Sequence, residues 1–129
     1  MLMGHHHLPI KDESEAHPIA DSWRPMLQEV VSALSKGDYS LDRHITGVRP
    51  VDYQVSDQIK NYVAEYGEKL TALPESTWET SCAQWMGGHW DVIVDLWTEG
   101  EGPSDLVLHG KMEEHNGEPS FTLGLVFVP

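Results

Sequence analysis

His109, Asp91 and Asp95 are the residues whose types could do chemistry if the chain brings them together. An imidazole beside two carboxylates can ligate a metal ion, or act as a charged general acid or base. Cys82 would add a thiol. The stretch "GHWDVIVDLWTEGEGPSDLVLHG" (88–110) alternates carboxylates and tryptophans with aliphatic residues on both sides of a Gly/Pro-rich turn. Whether the three side chains meet therefore depends on strand register. The sequence has no HExxH or paired CxxC spacing, so no metal ligand is assigned. A His–Asp surface pair is the plainer account, and Lys111 competes for Asp91. Cys82 with His89 or His109 lacks any nucleophile signature or separate orienting group, so a half-buried structural cysteine is favoured. Asp95, Glu99, Glu101 and Asp105 surround glycines, but the calcium-loop pattern D-x-[DN]-x-[DN]-G is absent. No catalytic residue and no cofactor are assigned.

The elements that position these residues can be read from periodicity. Trp23, Met26, Leu27, Val30, Val31 and Leu34 form an apolar stripe, which predicts a helix over about 22–36. Asp21 or Ser22 would cap it, and Gly37 would end it. A connecting loop is expected over 37–54. Ile59, Tyr62, Val63, Tyr66 and Leu70 predict a second helix from a Ser56 cap to about Lys69, before Pro74.

Four strands should follow. A turn at Gly87-Gly88 pairs Trp85 with Trp90, Cys82 with Ile93 and Trp78 with Trp97. The loop 99–103 sets Leu96 against Leu106 and Val94 against Leu108. Asn116-Gly117 is a type I′ hairpin signal that pairs Met112 with Phe121, Leu108 with Leu125 and Leu106 with Phe127. Together these registers place Trp85, Trp90, Val92, Val94, Leu96, Leu106, Leu108, Met112, Phe121, Leu123, Leu125 and Phe127 on one face. The expected fold is a two-layer α+β domain, with two N-terminal helices packed on one face of a four-stranded antiparallel meander (ααββββ). Residues 1–20, with the tag-like "MGHHH" and charged "KDESEAHPI", are expected to be a flexible leader to a single domain over 21–129.

The second face would carry Trp78, Thr80, Cys82, Asp91, Ile93, Asp95, Trp97, Asp105, Val107, His109, Lys111, Val126 and Val128. Asp91 and Lys111 lie directly opposite, as do Trp78 and Trp97. So apolar a face marks a contact surface, unless the leader, the 37–54 loop or a second copy of the chain covers it.

Charge narrows the partner. The chain carries a net charge of −13, with 11 acids and 7 bases in residues 1–69 but 10 acids and one base in 70–129. That excludes a phosphate-binding, nucleic-acid role. No apolar run reaches the ~20 residues that span a bilayer, and no secretory signal is visible. The single cysteine excludes an intrachain disulfide, and a cytoplasmic setting is expected.

The run "QWMGGHWDVIVDLWTEGEGPSDLVLHGKM" resembles a small family of bacterial domains of unknown function. They share a tryptophan-led strand, V-D-L-W-T, an acidic glycine turn and S-D-L-x-L. "WRPMLQEVVSALSKGDYSL" and "NYVAEYGEKLTALPESTWETS" are similar to the preceding segments there, so the resemblance covers about 12–129. It implies a bacterial source and an α+β fold, and it carries over no catalytic residue. The leading expectation is a non-enzymatic, immunity-like or accessory module. It would bind a protein with a basic surface through Trp78, Asp91, Asp95, Trp97, Asp105 and His109. The alternatives are a small metal-binding protein or hydrolase using Asp91, Asp95, His109 and Cys82, or a homodimeric structural subunit.

Overall fold

The structure, a computed structural model, describes residues 7–129. Residues 1–6, which include the tag-like run up to His6, lie outside the described residues. The element order is β1 (His17–Pro18), α1 (Arg24–Ser35), α2 (Tyr53–Tyr66), β2 (Cys82–Trp85), β3 (Trp90–Thr98), β4 (Gly102–His115) and β5 (Glu118–Phe127). The five strands form one antiparallel sheet in the order β1-β2-β3-β4-β5. The fold class is the expected α+β, with one strand more than predicted and that strand ahead of the helices.

That extra strand comes from the supposed leader. His17 pairs with Ala83 and Pro18 with Cys82, and the Trp90 indole donates to the Ile10 carbonyl at 3.0 Å. Ile19 and Ala20 are buried in the core, and the Lys11 ammonium lies 4.9 Å above the Trp85 ring. From His7 onward the segment therefore packs against the body of the domain at several points. A charged composition concealed the two apolar residues that anchor it.

Neither Asp21 nor Ser22 caps α1. The helix is preceded by a 3-10 turn at Asp21–Trp23 and has no side-chain cap bond. Its other end closes as expected at Gly37, whose φ of 85° allows the Asp38 N–H to reach the Ala33 carbonyl and its own N–H that of Leu34. Asp52, not Ser56, caps α2 by accepting from the Gln54 N–H at 2.9 Å. Both helices bury their stripes against the inner face of the sheet, where Leu27, Val30, Val31, Leu34, Ile59 and Val63 join Trp90, Val92, Val94 and Leu96 in one core.

Next to their turns, two registers hold as predicted. Trp85 faces Trp90 and Cys82 faces Ile93. Met112 faces Phe121 across a two-residue turn in which Asn116 and Gly117 both have positive φ, as type I′ requires. Farther from that turn the same β4–β5 register is corrected by a bulge. Gly110 pairs with Leu123 but His109 pairs with Leu125, so Gly124 is the extra residue, and beyond it Leu108 faces Val126 and Val107 faces Phe127. Any Cβ on Gly124 would lie 2.7 Å from the His109 carbonyl oxygen, which is why only glycine fits. One extra residue reverses the faces of everything after it. Val126 is consequently buried, Leu125 is 44% exposed and Phe127 is half-buried. In the β3–β4 register Val94 faces Leu108 as expected, but a smaller shift falls between Asp95 and Trp97, and Thr98 meets Gly102.

The part of β3 that runs past β2 and the β5 edge of the sheet are both occupied. The Thr77 hydroxyl donates to the Asp95 carbonyl, and Leu70 bridges Thr98. Along β5, the Phe121 N–H and carbonyl bond Gly47 and Arg49, and the Gln58 amide binds both backbone groups of Val126. Such cover disfavours pairing with a foreign strand.

Candidate functional site

The outer face of the sheet, turned away from the helices, is built by the odd-numbered residues of β3. Asp91, Ile93, Asp95 and Trp97 alternate with the buried Trp90, Val92, Val94 and Leu96, and all four are partly exposed. Register lines extend across this face. Cys82, Ile93, His109 and Leu125 form one row; Asp95, Val107 and Phe127 form the next; Asp91 lies in line with Lys111 and Thr122. Trp97 pairs with Pro103 and covers Gly102, where an added Cβ would sit 3.9 Å from its ring. The rows join into an apolar strip of Ile93, Val107, Trp97, Leu125 and Phe127.

Asp91 is the electrostatic centre of one end. Its Oδ1 lies 3.0 Å from His89 Nε2 and 3.7 Å from His109 Nε2, so two imidazoles share a single carboxylate oxygen. Lys111 is directly opposite in register, yet among the described residues it forms no ion pair with Asp91. His89 takes that place with a hydrogen bond to the carboxylate. Asp95 does not join them. Its carboxylate accepts a short hydrogen bond from the Thr80 hydroxyl, and its backbone N–H donates to Ser81 Oγ at 3.0 Å. Burial, reinforced by the Asp95 charge, pushes the Cys82 thiol up from its ordinary value. A thiol held protonated is the reverse of an activated nucleophile.

Concavities lie along α1, α2 and the loops near them, for example among Pro25, Gln28, Glu29, Ser32, Arg43 and Leu73, and the outer-face residues line none of these. A small-molecule site needs a cleft.

A family model for a domain of unknown function, DUF7668, matches residues 31–129. The chain belongs to that family. Neither a curated protein nor a solved structure matches it. The part matched to DUF7668 begins inside α1 and contains the whole outer face apart from Pro18 of β1. No helix of the described residues is long and apolar enough to cross a membrane.

Within this DUF7668 domain, Asp91 and His109 come together, while Asp95 and Trp97 share their face. Trp78 and Asp105 do not join them. Trp78 lies in a 3-10 turn, Glu75–Glu79, rather than in a strand opposite Trp97. It is buried in the core under the Arg24 guanidinium, 5.4 Å from its ring centroid. Pro74 fixes the turn that rotates it inward. Asp105 lies beyond the last β4–β5 pair, where its N–H donates to the Tyr66 hydroxyl. That hydroxyl in turn donates to Glu101 at 2.8 Å. Sequence reasoning placed Val126 on the outer face and missed Leu125, Phe127 and the role of His89. His89 was findable, since an i, i+2 pair beside a turn falls on one side of a strand. It also missed the one metal-competent group among the described residues, Asp12, Glu15 and His17.

Proposed function

We propose that this domain is a non-enzymatic binding module that docks a protein with a basic patch on the outer face of its sheet. One observation carries the reading: the Ile93–Trp97–Leu125–Phe127 strip is partly exposed on the side away from both helices, beside the carboxylates of Asp91 and Asp95. Trp97 and Leu125 serve as the desolvated anchors, and the acids steer a cationic partner and set its orientation. The protonated Cys82 thiol weighs against the hydrolase reading. An accessory or immunity-like role, in which the partner is a basic protein held inactive, is the specific form this takes.

The test is affinity capture from cells of the source organism, followed by binding measurements with the purified partner. Trp97→Ala combined with Leu125→Lys should weaken binding by about 30-fold or more, as loss of a central anchor does. Tyr53→Ala at the exposed start of α2 should leave it unchanged. Affinity should also fall as salt is raised. A partner retained in full by the Trp97/Leu125 variant would refute the assignment.

A further inference from the structure

We infer that Asp12, Glu15 and His17 form a binding site for one divalent transition-metal ion of the zinc–manganese class, which clips the N-terminal segment to the sheet edge. This goes beyond the outer-face reading and lies outside the segment matched by the family model.

The sequence "DESEAH" sets two carboxylates three residues apart and an imidazole two residues further on. The Ser14 N–H donates to Asp12 Oδ1 at 2.9 Å, which bends residues 13–15 so that Glu15 returns beside Asp12. From the other side, the pairing of His17 with Ala83 fixes the backbone that carries the imidazole. One donor atom from each of the three residues then lies within 4.8 Å of the others. His17 Nε2 and Asp12 Oδ2 are 2.9 Å apart. Neighbouring ligands at right angles on an ion with bonds of about 2.0–2.2 Å have nearly that separation.

Charge points the same way. Lys11 is the only lysine or arginine among residues 7–20, and its ammonium is turned away onto the Trp85 ring. The Glu15 carboxylate has no side-chain hydrogen bond or ion pair among the described residues, although it faces that of Asp12. Two carboxylate oxygens and one imidazole suit Zn²⁺ or Mn²⁺. Structural zinc sites favour thiolates, and Mg²⁺ favours an all-oxygen shell with much of its water retained. Three protein ligands on an exposed bend leave positions open to water.

The experiment uses the full chain with His5, His6 and His7 replaced by Ser, which removes the neighbouring imidazoles. Calorimetric titration with ZnCl₂ and MnCl₂ should show one ion per chain, and MgCl₂ should compete poorly. Glu15→Gln removes a ligand without removing any structural bond, and it should weaken Zn²⁺ binding about tenfold or more, as should His17→Gln. Zn²⁺ should also slow tryptic cleavage after Lys11 in the parent chain but not in His17→Gln. Absence of stoichiometric Zn²⁺ or Mn²⁺ binding would overturn the site. So would Zn²⁺ binding that survives either substitution, because the ion would then reside elsewhere.

Discussion

The two faces of β3 have the same backbone, pairing partners and length, yet opposite fates. On the inner face, Trp90, Val92, Val94 and Leu96 are at most 1% exposed beneath the helices. On the outer face Asp91, Ile93, Asp95 and Trp97 remain partly open. The inner side is what the fold requires, since two amphipathic helices must bury their stripes somewhere. The outer side is more apolar than solubility needs. That difference separates residues that make the domain from residues available to use it.

The sharpest way to break this comparison is a matched pair of truncations. Leu96→Ala should cost about 2–5 kcal/mol in urea unfolding, and Ile93→Ala, three residues away on the other face, about 1 kcal/mol or less. Equal costs would mean that the outer face is covered. The next largest effect tests the bulge that sets which β5 residues face out. Gly124→Ala forces a Cβ to within 2.7 Å of a backbone oxygen and should cost about 1–3 kcal/mol in the same assay. Gly88→Ala, with nothing within 4 Å, should be close to neutral. Similar values for the two glycines would contradict the register described for β5.

The smallest effect concerns the tie between the helix layer and the β3–β4 turn. The hydrogen bond to Glu101, aided by that residue's charge, raises the Tyr66 hydroxyl above its usual value of 10.0. A raised folded value stabilises the fold below pH 10 and loses that contribution as pH climbs through the folded value. Absorbance titration should find one tyrosine ionising late, and Glu101→Gln should bring it earlier by removing the charge. A titration unchanged by Glu101→Gln would remove the tie.

How much of this was legible in the sequence depended on whether turn chemistry reached the residue in question. Gly87-Gly88 and Asn116-Gly117 fixed the registers nearest them, so the inner face from Trp85 to Met112 and the Asp91–His109 neighbourhood followed from alternation. Farther from a turn, one glycine decided the outcome. Gly124 reads as an ordinary strand residue, and nothing in a single sequence marks it as unpaired, so Leu125 and Val126 were exchanged between faces. Trp78 was misplaced because T-W-E-T-S-C continues the alternation of β2, whereas Pro74 starts a 3-10 turn that overrides it. His17 escaped notice for a different reason. A two-residue strand has no periodicity, and its pairing depends on side-chain anchors such as the Trp90 indole on a distant part of the chain.

The most direct measurement is a hydrogen-exchange and side-chain labelling footprint of the purified complex with its captured partner. We expect protection concentrated on the central strands and on Trp97, Leu125 and Phe127, with α1 and α2 unchanged. Protection confined to the helices, with those three side chains as reactive as in the free protein, would contradict the assignment of the outer face.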